Sequence, residues 1–427
     1  MRWKAYKLGD ILERKREIAN IQEDKNYKLV TIKLRHQGVV LREIKKGDEI
    51  KSNMYFVSEG DFVLSGIDAR NGAFGIVPKE LDKAVVTNDF WVLEPKKGTL
   101  TKDFFLFLTS TKFFDYICKQ CSDGTTQRIR LQKDKFNDFE ISLPSIDAQE
   151  LLVGTLMGYK NLNHNLSSEC THQLSLVKQL RQAFLREAMQ GKLVAQDPQD
   201  EPAAQLLAKI KAEKERFIGE KKIKKEKEMA PIGVEEMPFE VPEGWVCCRL
   251  GEITINRDGD RKPISQADRE KRKKLFDYYG ASGVIDKIDG YTHEGKFVLI
   301  GEDGANLIAK STPIAFIASG KFWVNNHAHV LEYQYDVMNY YMTYCLNTLD
   351  IKPYITGGFQ PKLSQGNLGL MLIPLPPLAE QHRIVAKLDE LMRYCDALEA
   401  SIQASRVQNE GLLQQVLREA LEPGNGE

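Results

Sequence analysis

The feature that most constrains this chain is that it repeats itself. Trp3-x4-Leu8-Gly9-Asp10-Ile11 recurs as Trp245-x4-Leu250-Gly251-Glu252-Ile253. Phe62-Val63-Leu64-Ser65-Gly66-Ile67-Asp68-Ala69-Arg70-Asn71 recurs as Phe297-Val298-Leu299-Ile300-Gly301-Glu302-Asp303-Gly304-Ala305-Asn306. Asn88 with Val92-Leu93-Glu94 matches Asn326 with Val330-Leu331-Glu332, Leu143-Pro144 before Gln149 matches Leu375-Pro376 before Gln381, and Leu185-Arg186-Glu187-Ala188 matches Leu417-Arg418-Glu419-Ala420. All five offsets lie between 232 and 242 residues and keep one order, so the chain is two copies of one unit.

Each copy is written in two styles. The first ~140 residues mix short Val/Ile/Phe/Tyr-rich runs with Gly punctuation, as in Tyr27 to Ile32, Asp61 to Leu64 and Ala84 to Leu93, which predict short strands joined by turns. A short helix is expected at about Lys102 to Lys119, with a counterpart at Val337 to Leu349. This mixture is an α+β domain.

The second style is a long helix. In the first copy Asp147 and Glu150 are expected as N-cap and third helical residue. Leu152, Leu156, Tyr159, Leu162, Leu166, Cys170, Leu174, Val177, Leu180 and Phe184 then fall three or four apart. In the second copy Ile384, Leu388, Leu391, Cys395, Leu398 and Ile402 alternate steps of four and three, the heptad spacing that calls for a partner helix, and Asn409 lands on the seam. Each helix would run about 42 residues, or ~63 Å, too long to be buried in one small domain. They are expected to pair antiparallel and hold the two domains at opposite ends. The alternative is two unrelated amphipathic helices, each folded back on its own domain.

The resulting division is a first domain over 1–146, a long helix over 147–192, a charged segment and Pro-spaced linker over 193–244, a second domain over 245–377 and a second long helix over 378–427. The charged segment, Ala203 to Glu228, interleaves lysines with glutamates and predicts a solvated helix face. The 60 basic and 60 acidic residues cancel overall, but not locally. Residues 1–146 carry 26 Lys/Arg against 21 Asp/Glu, whereas residues 378–427 carry 5 against 9. A modestly basic first domain and an acidic last helix are compatible with domains on DNA and helices against protein.

Several function classes fall away. A composition of 42% hydrophobic and 28% charged residues is globular. No apolar run reaches the ~18–20 residues of a membrane span, and Met1 to Lys7 carries charge where a signal peptide needs an apolar stretch, so a cytoplasmic protein is expected. Seven cysteines in this length are no disulfide framework, and Cys118-x-x-Cys121 lacks a second pair spaced for zinc. Gly290 to Lys296 imitates a phosphate-binding loop but is followed by Phe297 where a Ser or Thr hydroxyl would hold magnesium. His327-Ala328-His329 places two imidazoles on one strand face, without an obvious third metal ligand. Asp289, Glu294 and Lys296 could be arranged as a nuclease-like set, although such residues are common in polar loops.

Leu375-Pro376-Pro377-Leu378-Ala379-Glu380-Gln381 at the second helix entry, Phe239 to Trp245 and Gly191-Lys192-Leu193 complete a pattern that resembles the specificity subunits of type I restriction-modification systems, from Trp3 to about Ala420. The first copy departs from it locally, with Leu143-Pro144-Ser145-Ile146 where the family more often has two prolines. The resemblance implies a non-catalytic subunit with two target-recognition domains, each reading one half of a split, asymmetric double-stranded DNA target, with the paired helices as a ruler. It implies two methyltransferase subunits that use S-adenosylmethionine to methylate adenine and two restriction subunits that act as motor and nuclease. It places no cofactor in this chain, and S-adenosylmethionine, ATP and Mg in the partners.

The physical chemistry of base reading then selects residues. In the first domain these are Arg70 and Asn71 after Gly66, and Thr126, Gln127, Arg128 and Arg130. Their counterparts in the second are Asn306, Phe359, Gln360 and Lys362. Arg257, Arg261 and Lys262 beside Gly259, and the run Lys271-Arg272-Lys273-Lys274, are candidates to grip phosphate. Glu380, Asp389, Glu390, Asp396 and Glu399 make the second helix acidic and are candidates for a basic partner surface. Two other classes remain open from sequence alone: a stand-alone nuclease or methyltransferase, and an adaptor whose domains bind protein. A related specificity protein serving another modification enzyme also fits.

Overall fold

The computed structural model describes residues 3–124, 129–225, 231–233, 236 and 240–421. The chain divides into two compact units, Met1–Thr171 with Ile402–Glu427, and His172–Ser401.

The first unit opens with strand Lys4–Lys7, which pairs antiparallel with Glu140–Leu143, so the domain's two ends lie side by side. A four-stranded sheet follows in the order Leu12–Lys15, Phe90–Pro95, Phe62–Ser65, Phe74–Ile76. All four side chains of Phe62–Ser65 are buried, as suits an interior strand covered on both faces. A five-stranded sheet carries Glu17–Ala19, Met54–Val57, Ala84–Val86, Asn26–Ile32 and Val39–Lys46 in that order.

Two expected elements divide here. The run Ala84 to Leu93 is broken at Thr87-Asn88-Asp89, where a turn closed by Phe90 N to Thr87 O passes the chain from one sheet to the other. The helix expected over Lys102 to Lys119 becomes Lys102–Thr109 and Lys112–Gln120. Ser110 Oγ and Thr111 Oγ1 donate to the carbonyls of Phe107 and Leu108, and Thr111 caps the second helix by accepting from Phe114 N. Short hydroxyl side chains compete for helix backbone groups in this way and favour the cap. Both helices bury phenylalanines, including Phe104, Phe105 and Phe114, against Phe62 and Phe74.

The second unit repeats the closure, with Val246–Arg249 antiparallel to Leu372–Leu375. Its six-stranded sheet runs Ile255–Asn256, Ala328–Glu332, His293–Gly301, Ala315–Val324, Phe276–Gly280, Gly283–Ile288. Helix Asp336–Thr348 is fastened to it by Asn347, whose Oδ1 accepts from the amides of Ile314 and Ala315 while Nδ2 donates to Ala315 O. Helix Ala203–Gly219 adds what its charge pattern concealed: Ala203, Leu206 and Ile210 are buried in this unit's core, and only the other face is solvated.

Ile146–Met189 and Leu378–Leu421 are helices of 44 residues each. The first starts one residue ahead of the expected cap, so Asp147 lies in its first turn, where a negative charge suits the helix dipole. Within the first unit Asn163 Nδ2 donates to Asn409 O at 2.8 Å, and within the second Arg181 reaches Asp396 and Glu399 at 2.6 and 3.0 Å. Rising numbers on one helix meet falling numbers on the other, so the two form an antiparallel pair rather than folding back separately. Each entry is locked by a buried glutamine. Gln149 Nε2 donates to Thr99 O and Pro144 O while its Oε1 accepts from Thr101 N, and Gln381 Nε2 donates to Pro376 O. Among the described residues no helix is long and apolar enough to cross a membrane.

Candidate nucleic-acid interface

In each unit the backbone brings together two loops that are far apart in sequence. In the first, Leu131 N donates to Gly66 O at 2.7 Å, and Gly66 N donates to Asp89 O at 2.7 Å. The loop after Phe62–Ser65, with Ala69–Asn71 as a single 3-10 turn, therefore lies against the two-stranded ribbon Ser122–Asp123 and Arg130–Leu131. In the second, Leu363 N donates to Glu302 O at 2.8 Å, and Glu302 N donates to His327 O at 2.8 Å. Here the loop after His293–Gly301 lies against the ribbon Ile355–Thr356 and Lys362–Leu363.

This apposition gathers most residues selected for base reading. Arg70 is partly exposed and Asn71 exposed on the first loop. Arg130 stands on the neighbouring ribbon, paired with Asp89 at 2.8 Å and still 54% exposed. Thr126, Gln127 and Arg128 lie outside the described residues. In the second unit Phe359 and Gln360 are exposed on the turn of the ribbon, and Lys362 at its base reaches Glu302 at 3.3 Å. Asn306 serves the loop itself: its Oδ1 accepts from Ser311 Oγ and Thr312 N, and its Nδ2 donates to Thr312 O.

The phosphate candidates separate. Arg261 is 14% exposed, bridges Glu302 at 2.8 Å and Asp258 at 3.4 Å, and donates to Ala328 O. Its guanidinium is an internal tie rather than a free phosphate grip, because Asp258 three residues away and the distant Glu302 and Ala328 carbonyl all hold it. Arg257 pairs with Glu332 at 2.6 Å. Lys262 is exposed, as are Lys271 and Lys273, whereas Arg272 and Lys274 meet Asp289 and Asp286.

Arg261 belongs to a cluster not foreseen from the sequence. His329, 1% exposed, donates from Nε2 to Leu363 O at 2.8 Å, while its Nδ1 faces Asp258 Oδ2 at 2.5 Å. A carbonyl only accepts, so Nε2 carries the proton of this bond. Burial works against the Asp258 charge, yet the His329 hydrogen bond and charge, the Val330 amide and Arg261 together hold its pKa below the ordinary range. Glu302 is likewise lowered, with burial opposed chiefly by Arg261. Asp258, Glu302 and His329 offer atoms within 4.8 Å of one another, but His329 uses both nitrogens inside the protein and Arg261 supplies the positive charge. His327 faces Asp303 at 2.8 Å. The only advance signal was the alternation of His327 and His329 on one strand.

The nuclease-like set is dispersed: Lys296 pairs with Asp336, Glu294 with Lys321 and Asp289 with Arg272. The phosphate-loop imitation runs into strand His293–Gly301. Cys118 and Cys121 are buried thiols, and burial pushes Cys121 up to about 11.

The acidic partner face also changes. Glu380 is 1% exposed and accepts from Trp245 Nε1 at 2.8 Å and Gln196 Nε2 at 2.6 Å. It lies inside the second unit because the helix entry packs against Trp245. Asp389 accepts from Tyr344, Glu390 pairs with Lys387, and Asp396 and Glu399 share Arg181 while remaining 68% and 52% exposed.

Two related domains that present the same pair of apposed loops, each followed by a long helix, define a tandem recognition protein. The family model described as type I restriction modification DNA specificity domain matches residues 1–172 and 242–405. The chain belongs to that family of specificity subunits. It is 24% identical over 446 aligned residues to the Type I restriction enzyme EcoEI specificity subunit of Escherichia coli, covering 88% of this chain and 74% of that one. It is 30% identical over 300 residues to the EcoAI specificity subunit of the same species, covering 62% and 50%. In a solved structure concerned with complex assembly and conformational transition of the type I R-M system, a chain superposes with a TM-score of 0.69 at 17% identity, covering 98% of this chain and 97% of that chain, which is a likeness of fold.

Proposed function

We propose that this specificity subunit reads a split, asymmetric double-stranded DNA target, one half through each domain, and contributes no catalytic group of its own. The observation that carries this is the repeated apposition of loop and ribbon, through Leu131 to Gly66 in one domain and Leu363 to Glu302 in the other. One scaffold with different exposed side chains is what two unequal half-sites require. Arg70, Asn71 and Arg130 serve the first half, to which Thr126, Gln127 and Arg128 are assigned from the sequence. Gln360, Phe359 and Lys362 serve the second, with Lys262 and Arg257 toward phosphate. Arginine and lysine suit guanine, and glutamine and asparagine suit adenine.

The helices would set the spacing between the half-sites. Forty-four residues make about 66 Å of helix, enough for at most ~19 base pairs at ~3.4 Å each. Asp389, Glu390, Asp396 and Glu399 are the acidic groups left to meet a basic partner. The partners proposed are two methyltransferase subunits, which supply S-adenosylmethionine chemistry at adenine, and two restriction subunits, which supply ATP- and Mg-dependent chemistry in the cytoplasm.

The test is methylome sequencing of a host expressing this chain with its cognate methyltransferase, against a host lacking the chain. New N6-methyladenine in a split, non-palindromic motif is the expected result. An assembled complex that adds no motif would overturn the proposal.

A further inference from the structure

Among the described residues Phe359 is the most exposed large apolar side chain. Its relative exposure is 110%, whereas the next highest value, at Ile18, is 70%. The ring is thus wholly uncovered. It sits on the turn Gly357-Gly358-Phe359-Gln360-Pro361, between the paired residues Thr356 and Lys362. Gly357 has φ +87°, and a Cβ there would stand 2.4 Å from Gln360 O, so this tight turn admits only glycine at that position.

The base of the turn is held as firmly as its tip is bare. Leu363 is fully buried, its amide donates to Glu302 O, and its carbonyl accepts from His329. Gly304 N donates to Pro361 O at 3.0 Å, and Glu302 ties Lys362 to Arg261. The buried cluster of Asp258, His329, Glu302 and Arg261 therefore fixes a narrow ribbon whose outermost group is an aromatic ring. An apolar ring carried outward on a fixed ribbon beside Gln360, an adenine-reading side chain, has the form of a wedge for a base step.

From this geometry we infer that Phe359 inserts between two base pairs of the second half-site and unstacks them when the chain binds DNA. This deepens the proposed reading of a split target and rests on it. Adenine methylation requires the base to leave the stack, and a wedge in the same half-site lowers the cost of opening the duplex. Between the paired residues Asp123 and Arg130 the first domain's sequence carries no aromatic residue, so the wedge is assigned to the second half-site.

The experiment uses the complete complex of this chain with its methyltransferase and duplexes carrying the motif found by methylation sequencing. 2-Aminopurine replaces each base of the second half-site in turn, except the methylated adenine. One step should brighten on binding of the unaltered complex. Phe359→Ala should abolish that signal and weaken binding by about tenfold, since one base–aromatic stack is lost. Phe359→Leu should keep most of the signal, and because the ring is uncovered, both variants should melt as the parent does. A motif bound equally well by Phe359→Ala, or no bright step at any position, overturns the wedge and leaves split-target reading intact. Failure of Phe359→Ala to assemble with the methyltransferase makes the ring a protein contact and also overturns it. A parent complex that binds no split motif overturns the underlying function before any variant is compared.

Discussion

Trp245 Nε1 donates to Glu380 Oε2 at 2.8 Å, joining the first residue of the second domain's repeat to the first turn of the second long helix. The same carboxylate accepts from Gln196, so the segment following the first long helix is fastened at the same point. Burial raises the Glu380 pKa above its usual range, against the lowering effect of the Trp245 and Gln196 hydrogen bonds.

Glu380 should therefore oppose folding as it ionises. Its folded pKa is the higher one, so stability contributed by this group is fully present below the unfolded value of about 4.3 and is lost as pH rises through the folded value. Glu380→Gln keeps an acceptor for Trp245, removes that slope and should lie within about 1 kcal/mol of the parent at neutral pH, whereas Glu380→Ala leaves Trp245 unpaired and should cost about 1–3 kcal/mol. Denaturant unfolding between pH 3.5 and 7.5 checks both.

Asp258 should behave with the opposite sign. Its folded pKa lies below the unfolded value of about 3.9, so its contribution is present above that pH and disappears as pH falls through the folded value. The acid limb of the unfolding midpoint should flatten in Asp258→Asn.

Arg261→Met should destabilise the second domain by about 3–5 kcal/mol, because Glu302 and Asp258 lose the cation that compensates their burial. A phosphate contact predicts something else: unchanged stability, with the slope of log affinity against log salt smaller by about 1. Thermal unfolding and salt-dependent DNA binding of the same variant separate the two.

Gln149→Ala removes three hydrogen bonds from a fully buried site and leaves Thr101 N, Thr99 O and Pro144 O without them. A loss of about 2–4 kcal/mol is expected, with the Thr101 amide losing its protection in hydrogen exchange.

Gln360→Ala should relax the methylated motif at one position of one half-site, at a discrimination cost of about 1–3 kcal/mol. Lys262→Ala, at an exposed phosphate candidate, should instead weaken binding across sequences, and methylome sequencing of both variants distinguishes these outcomes.

The features legible in the sequence were those written locally. Repeated Phe-Val-Leu-x-Gly blocks marked paired interior strands, and apolar steps of three and four marked the two 44-residue helices. Asn409 was placed on the seam by spacing alone, yet it meets Asn163 through its backbone carbonyl. Arg261 looked like a surface cation because Glu302 and Ala328, 41 and 67 residues away, meet it only after folding. Glu380 looked exposed because acids in a first helical turn usually face water, and nothing local to it names Trp245 as its partner, 135 residues away.

The apposed loops are joined by main-chain groups: Leu131 N to Gly66 O, Gly66 N to Asp89 O, Leu363 N to Glu302 O and Glu302 N to His327 O. An amide and a carbonyl are common to every residue but proline, and of these positions Gly66, where a Cβ would stand 2.9 Å from Asp89 O, is the one held to glycine. The frame is thus insulated from its lettering, and a lineage of such chains can exchange one exposed side chain at a ribbon turn, or a whole domain between the paired end strands, and acquire a new target without inventing a new protein.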